Sequence, residues 1–452
     1  MSYESLIAEY LDFDIPPFVP REDVAIDLPR PARNNIVYTI IGVRRCGKTY
    51  LMYQLMDGLA KRGVPRNRLL HFTFDDERVM PFGDHTLSEL LDAYYKLVPE
   101  AREGCYLFFD EIQEAPYWTN FVRRVSEQHR VTIVLTGSSS KLLSTDIPTN
   151  FRGRSLAKEM WPLSFREYCR FNGVDAAGVA GAYAAEQRGL LEQAFDRYLF
   201  VGGFPAVQRL ALLDRIQLLQ GYAGEIVTKD VLERFGTTSF RVADRFARNA
   251  LRSTGLKFSV NKQIKEFKQA GIPSSNAKLY ALLDDLEDAH LLFKVSDYNL
   301  SIKDNPKSSY KVYSVDPGLA LAVAPASHLD LGQRLETAVF LELKRRFGSD
   351  RTNVVATYQA SNCPEVDFVV GDVALCEQYE LVQVAVRSGK GDAGGASQFS
   401  KKYRSEMGNL AAAMKNAGLE TGTLVTMTEE DSIAVPEGVI EVVPAWKWFL
   451  ER

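Results

Sequence analysis

From about Asn35 onward, short unbroken apolar runs alternate with stretches whose apolar residues recur at helical spacing. Residues 36–41, Ile-Val-Tyr-Thr-Ile-Ile, read as a buried strand, and Lys48 to about Arg62 as an amphipathic helix. Strand Leu69 to Phe74, helix Leu87 to Val98, strand Cys105 to Asp110, helix Asn120 to Gln128, strand Val131 to Thr136 and a strand-like run Leu156 to Trp161 follow. Runs that are apolar throughout, rather than alternating, belong to strands covered on both faces. The alternation predicts a parallel sheet between helical layers, with any ligand at the carboxyl ends of the strands.

Other stretches carry different patterns. Residues 1–34 hold a short helix-like segment and then Pro16, Pro17, Pro20, Pro29 and Pro31 with acids between, which reads as an extended arm packed on the next domain. Residues 162–235 are helix-rich and include the expected helices Leu190 to Leu199 and Ala206 to Leu219. In residues 236–325, Gly271-Ile272-Pro273-Ser274-Ser275 forms a turn and N-cap before a helix over Asn276 to Asp288. A hairpin-like pair, Leu292 to Val295 and Tyr310 to Tyr313, completes a winged-helix pattern. Residues 326–452 offer a helix over Gly332 to Phe347 bearing Glu336 and Glu342, then strands containing Glu365-Val366-Asp367 and Leu381-Val382-Gln383.

Composition narrows the setting. A chain of 452 residues with 46% apolar content buries a large core and divides into several domains. A net charge of −4 gives no global basic excess, so contact with nucleic acid would need a local patch. Five scattered cysteines without metal-like spacing suit a reducing, cytoplasmic setting, and the acids Glu4 and Glu9 argue against a signal peptide or membrane anchor. For Cys46 two readings stand, a small residue in a tight loop or an oxidation-sensitive thiol.

The candidate chemistry begins where the first strand stops. Gly42-Val43-Arg44-Arg45-Cys46-Gly47-Lys48-Thr49, followed by Tyr50, is a Walker A motif set between strand and helix, as that motif requires. Its two glycines let backbone N–H groups converge on phosphates at a helix N-terminus. Lys48 supplies charge to the β- and γ-phosphates of ATP, and Thr49 is a hard oxygen ligand for Mg²⁺. Asp110, at the tip of a later strand, is expected to hold the metal, and Glu111 to activate the attacking water. Thr136 and Ser138 are the candidates for sensing the γ-phosphate; for Ser138 to Ser140 a helix N-cap is an equal alternative. Arg152 and Arg154 are either solvated surface arginines or fingers that stabilise phosphoryl charge.

These motifs, with Phe-Phe-Asp-Glu-Ile-Gln, Leu-Thr-Gly-Ser-Ser-Ser, Arg-Gly-Arg and Trp-Pro-Leu-Ser-Phe-Arg-Glu-Tyr in that order, resemble the bacterial and archaeal AAA-like ATPases of the archaeal-ATPase type. Gly202-Gly203-Phe204-Pro205, Lys229-Asp230-Val231, Val312 to Leu319 and Glu365-Val366-Asp367-Phe368 extend the resemblance over nearly the whole chain. After the arm (1–34), it implies an α/β P-loop NTPase core (35–161), a helical lid (162–235), a winged-helix region (236–325) and an α/β domain like the PD-(D/E)XK nucleases (326–452). It also implies that Arg154, and secondarily Arg152, reaches the nucleotide of a neighbouring subunit. The departure lies at Leu381 and Gln383, where such nucleases carry an acid and a lysine, so Glu336 and Asp367 would hold a metal weakly.

The expected function is Mg-dependent ATP hydrolysis that switches domains or subunits of a cytoplasmic protein with a protein client. The alternatives are an ATP-gated DNA-binding or nuclease-like protein, with Lys278, Lys303, Lys307 and Lys311 as phosphate contacts, and a nucleotide-dependent scaffold without turnover. The acids Asp284, Asp285, Glu287 and Asp288 weigh against DNA.

Overall fold

The computed structural model describes residues 2–137, 151, 153–178, 183–233, 239–298, 310–324, 331–347, 354–359, 365–372, 377–386 and 401–451. The chain divides into two compact units, Met1–Trp161 with Asp288–His290, and Pro162–Glu287 with Leu291–Arg452.

In the first unit, strands β1 (Val37–Ile41), β2 (Leu69–Thr73), β3 (Cys105–Asp110), β4 (Val131–Thr136) and β5 (Ser155–Glu159) form one sheet in the order β2-β3-β4-β1-β5. All four pairings are parallel, as the alternating pattern predicts. β1, β3 and β4 are buried along their whole length, whereas β5 is the half-exposed edge. Helices α1 (Tyr3–Asp12), α2 (Lys48–Lys61), α3 (Thr86–Leu97) and α4 (Trp118–Gln128) cover the sheet. A ten-residue helix such as α1 is marginal by itself in water. Here Leu6 and Ile7 sink into the core beside α3 and β2, each burial being worth roughly 1.5–3 kcal/mol, enough to fix the helix in place.

The second unit joins helices to two further sheets. Helices α5 (Phe165–Phe171), α6 (Ala185–Val201) and α7 (Leu212–Glu225) come first. The single helix expected over Ala206 to Leu219 is in fact a short turn, Pro205–Val207, a break, and then α7. The reason is local: the Gln208 side chain folds back to donate to the Gly202 and Phe204 carbonyls, which ends the first turn. Lys229-Asp230-Val231 lies in a π-helical segment, Ile226–Leu232. Next come α8 (Phe240–Arg252), β6 (Leu256–Phe258), α9 (Val260–Gln269), α10 (Asn276–Asp288) and β7 (Leu292–Val295). After β8 (Asp297–Tyr298), β9 (Tyr310–Ser314) completes an antiparallel β6-β9-β7 sheet.

Helices α11 (Pro317–Val323) and α12 (Leu331–Phe347) lead to the second sheet. Its order is β14-β15-β13-β12-β11-β10-β8, with β10 (Val354–Tyr358), β11 (Val366–Asp372), β12 (Glu377–Ala385), β13 (Thr421–Thr426), β14 (Asp431–Val435) and β15 (Gly438–Pro444). α13 (Lys401–Ala417) packs on it, and α14 (Ala445–Leu450) follows β15. The chain thus carries an α/β sheet domain and an additional C-terminal sheet domain. Among the described residues no helix is long and apolar enough to cross a membrane.

Two of the sequence motifs meet in this unit. Asp316 caps α11, accepting from the backbone N–H groups of Leu319 at 2.8 Å and Gly203 at 2.5 Å. Gly202 has φ of 81°, and any side chain there would collide with the Asp316 carboxyl. Burial pushes Asp316 up to about 6, against the pull of those N–H bonds. An acid with a higher pKa folded than unfolded favours the fold in its neutral form. Its contribution is complete below about pH 4, the unfolded value, and is lost as pH rises through about 6. Asp316→Asn keeps the shape without the charge, so it is expected to flatten the decline in melting temperature between those values. Calorimetry at stepped pH checks this, and parallel profiles for the two proteins would count against it.

Candidate functional site

The loop after β1 is built by its backbone. Gly42 has φ of 144°, and a Cβ there would run into the Met160 carbonyl. Arg45 and Gly47, at φ of 70° and 106°, are left-handed, a sequence of turns that gathers successive N–H groups into an anion-binding concavity. α2 starts at once, so its positive end faces the same space. The buried Lys48 ammonium donates to the Gly42 and Val43 carbonyls at 3.1 and 3.2 Å, which holds it over the loop. Arg44 is half-buried, while Arg45 and Tyr50 are exposed. Cys46 is fully buried, and burial pushes its thiol up, which opposes the oxidation-sensitive reading.

β4 lies between β1 and β3, so Thr136 sits at the sheet's carboxyl edge between the loop and the acids. The Thr49 hydroxyl donates to Asp110 Oδ2 at 2.6 Å, and the Thr136 hydroxyl donates to Asp110 Oδ1. The Glu111 N–H in turn donates to Thr136 Oγ1 at 3.2 Å. Burial pushes Asp110 up, while its hydrogen bonds from Thr136 and Thr49 pull it back. Nearby His71 Nε2 stands 4.0 Å from Asp110 Oδ2, and burial, helped by the charge of Arg66, pushes this imidazole down to about 4. His71 is therefore neutral at pH 7. A buried carboxyl group flanked by two hydroxyls offers hard oxygens, so Thr49 and Asp110 fit Mg²⁺.

Glu111 begins the next turn in a left-handed conformation, φ 52°, and accepts from Gln113 Nε2 at 2.5 Å. Strain of this kind in a non-glycine residue concentrates at functional sites. Arg154 is elsewhere. It precedes β5, whose register pairs Ser155 with Val37, so it lies at the amino end of the sheet. That is one strand length, roughly 16 Å, from the phosphate loop. Its Nη1 donates to Asn34 Oδ1 at 2.6 Å on the exposed surface. Arg154 is thus separated from its own chain's loop. Ser138 and Arg152 lie outside the described residues.

Arg21 joins the site from the proline-rich arm, where no sequence motif marks it. The residue is only 7% exposed, and its guanidinium donates to the Cys46 carbonyl at 2.9 Å and to the Trp161 carbonyl at 2.7 Å. Its backbone N–H and carbonyl pair with the Gln54 side chain of α2 at 2.7 and 2.9 Å. The arm therefore grips the phosphate loop and its helix together. Arg21→Gln would strand buried carbonyls at roughly 1–3 kcal/mol. The expected result is a lower melting temperature and a several-fold loss of nucleotide affinity; calorimetry and a nucleotide titration check the two effects separately.

Residues 34–169 match the family described as AAA domain. This part of the chain is similar to that AAA family. A domain of unknown function is matched over residues 192–330. An uncharacterized protein of Methanocaldococcus jannaschii is 29% identical over 458 residues, covering 99% of this chain and 95% of its own. An uncharacterized protein of Haemophilus influenzae is 27% identical over 328 residues, covering 73% and 79%. Orc1 of Aeropyrum pernix in complex with DNA aligns with 65% of this chain and 87% of its own at 12% identity and a TM-score of 0.29. AMPPCP-bound DnaA from Aquifex aeolicus aligns with 63% and 86% at 11% and 0.26. In the AAA domain, the matched span contains the phosphate loop, Asp110, Glu111 and Thr136.

Proposed function

We propose that this chain binds Mg·ATP at the carboxyl edge of the β2-β3-β4-β1-β5 sheet and hydrolyses it, using the change to rearrange domains or subunits. The observation that carries the reading is the continuous link from Thr49 through Asp110 and Thr136 to Glu111, set at the mouth of the loop. The loop N–H groups and the start of α2 bind the phosphates, and Lys48 leaves its carbonyl partners for the β- and γ-oxygens. Thr49 and Asp110 are the residues that would hold Mg²⁺, which when bound neutralises phosphate charge.

Glu111 orients a water in line with the γ-phosphorus and takes its proton as the new P–O bond forms and the bond to the β-phosphate oxygen breaks. Thr136 keeps the two acids in register, and Gln113 holds the Glu111 carboxylate. Because Arg154 stands at the opposite end of the sheet, its finger role would be exercised on a neighbouring subunit.

One surface favours a second reading. Lys262, Lys265 and Lys268 are exposed on α9, and Lys278 is exposed on α10. The acids of α10 are less repulsive than the sequence implies, since Asp285 is buried and Lys294 pairs with Asp284 and Glu287. This basic face in a winged-helix-like arrangement is where a nucleic-acid backbone would contact the chain. Lys303 and Lys307 lie outside the described residues. Steady-state phosphate release, with Lys48→Ala as the blank and with single- or double-stranded DNA added, separates the readings. DNA-independent turnover is expected from a protein-directed ATPase, salt-sensitive stimulation from a DNA-directed one, and no turnover under any condition would sink the hydrolysis proposal.

A further inference from the structure

The C-terminal unit holds a second cluster of charged groups, far from the phosphate loop in sequence. Lys311, on β9, buries its side chain among three carboxylates: Glu336 on α12 at 3.0 Å, Glu365 at 3.0 Å and Asp367 on β11 at 3.3 Å. Further donors surround the same acids. Tyr313 OH donates to Glu336 Oε1 at 2.8 Å, and Lys257 of β6 pairs with Glu365 Oε2 at 2.9 Å. Gln383 Nε2 and the Val384 N–H donate to Asp367 Oδ2 at 2.7 and 3.0 Å. Both oxygens of Glu365 and both of Asp367 are therefore engaged by this chain's own groups.

Glu336 and Asp367 are the acids that a nuclease of the resembled type would turn toward a divalent ion. The donor set does not fit one. An ammonium stands within hydrogen-bond distance of all three carboxylates, which is the position from which a cation would neutralise them. Among the described residues no group of three or more His, Cys, Asp or Glu side chains is arranged to hold a metal. Gln383, where such enzymes have lysine, serves instead as a fixed donor to Asp367. Lys311 cannot serve as a phosphate contact for DNA either, being buried in this cluster.

We infer that Lys311 is the resident cation of this carboxylate cluster: it stands in for a divalent metal, ties β9 of the three-stranded sheet to the C-terminal sheet, and closes the site to metal. Three elements remote in sequence, β9, α12 and β11, are held by one ammonium. Removing it while leaving the acids creates a hole of the right charge and donor chemistry for a hard divalent cation.

The test uses the full chain without nucleotide and Mn²⁺ as the probe. Asp367→Asn is expected to leave the wild-type Mn²⁺ isotherm unchanged, because the wild type binds no metal there and the phosphate-loop ligands are untouched. Lys311→Met is expected to gain a single Mn²⁺ site that the wild type lacks, and Lys311→Met/Asp367→Asn to lose it again. Since Lys311→Met leaves unbalanced buried acids, Lys311→Met/Glu336→Gln is run beside it, and melting is followed in Mn²⁺ and in chelator. Mn²⁺-dependent recovery of the fold in either variant supports the inference. A wild-type Mn²⁺ site that disappears with Asp367→Asn would overturn it, as would two Lys311 variants indifferent to Mn²⁺.

Discussion

Replacing Glu111 with glutamine is expected to cut ATP turnover by about 10²-fold or more while leaving Mg·ATP bound, since loss of a positioned general base typically costs 10²–10⁴ in rate. The geometry gives the reason. Glu111 contributes its N–H to Thr136, and that bond survives the substitution, so Asp110 and Thr49 keep their arrangement. Only the charge proposed to accept the water's proton is removed. Phosphate release at saturating nucleotide, beside a direct titration of nucleotide, checks the split. Equal turnover in the two proteins would remove Glu111 from the reaction, and a parallel loss of binding would make its role structural.

Lys48→Ala should act one step earlier. The ammonium is buried over the loop and bonded to the Gly42 and Val43 carbonyls, so it is poised to exchange neutral acceptors for charged phosphate oxygens. A hydrogen bond to a charged group is worth roughly 1.5–3 kcal/mol. The expected loss is therefore about 10- to 100-fold in ATP affinity, with turnover abolished at ordinary nucleotide concentrations. The fold should persist, because the loop conformation rests on Gly42, Gly47 and the Arg21 clamp rather than on Lys48. Titration with a non-hydrolysable analogue and circular dichroism check the two halves of this prediction.

The parts legible in the sequence are those whose cause is local. The phosphate loop announces itself because glycine, lysine and threonine are fixed by covalent spacing, and Asp110-Glu111 because an all-apolar strand ends on two acids. The parallel sheet follows from strands apolar along their length. What escaped depends on contacts far apart in the chain. Arg21 is one arginine in a proline-rich arm, and nothing nearby signals that it spans to Cys46 and Trp161. Lys311 reads as a surface lysine of a hairpin, yet it is buried because Glu336, Glu365 and Asp367 arrive from later elements. The acids of α10 look repulsive in sequence and are muted in space by Lys294. Helical periodicity ran through Ala206 to Leu219 without registering that Gln208 would turn back on Gly202.

Hydrolysis at the Thr49–Asp110–Thr136–Glu111 edge is decided by a single-turnover experiment. Wild-type protein in excess over ATP is mixed with Mg²⁺, and γ-phosphate release is followed beside the Glu111→Gln protein and a sample without Mg²⁺. One burst of phosphate per bound ATP is expected in the wild type alone, with intact ATP recovered from the other two; ATP bound stoichiometrically by the wild type and recovered unhydrolysed would rule hydrolysis at this edge out.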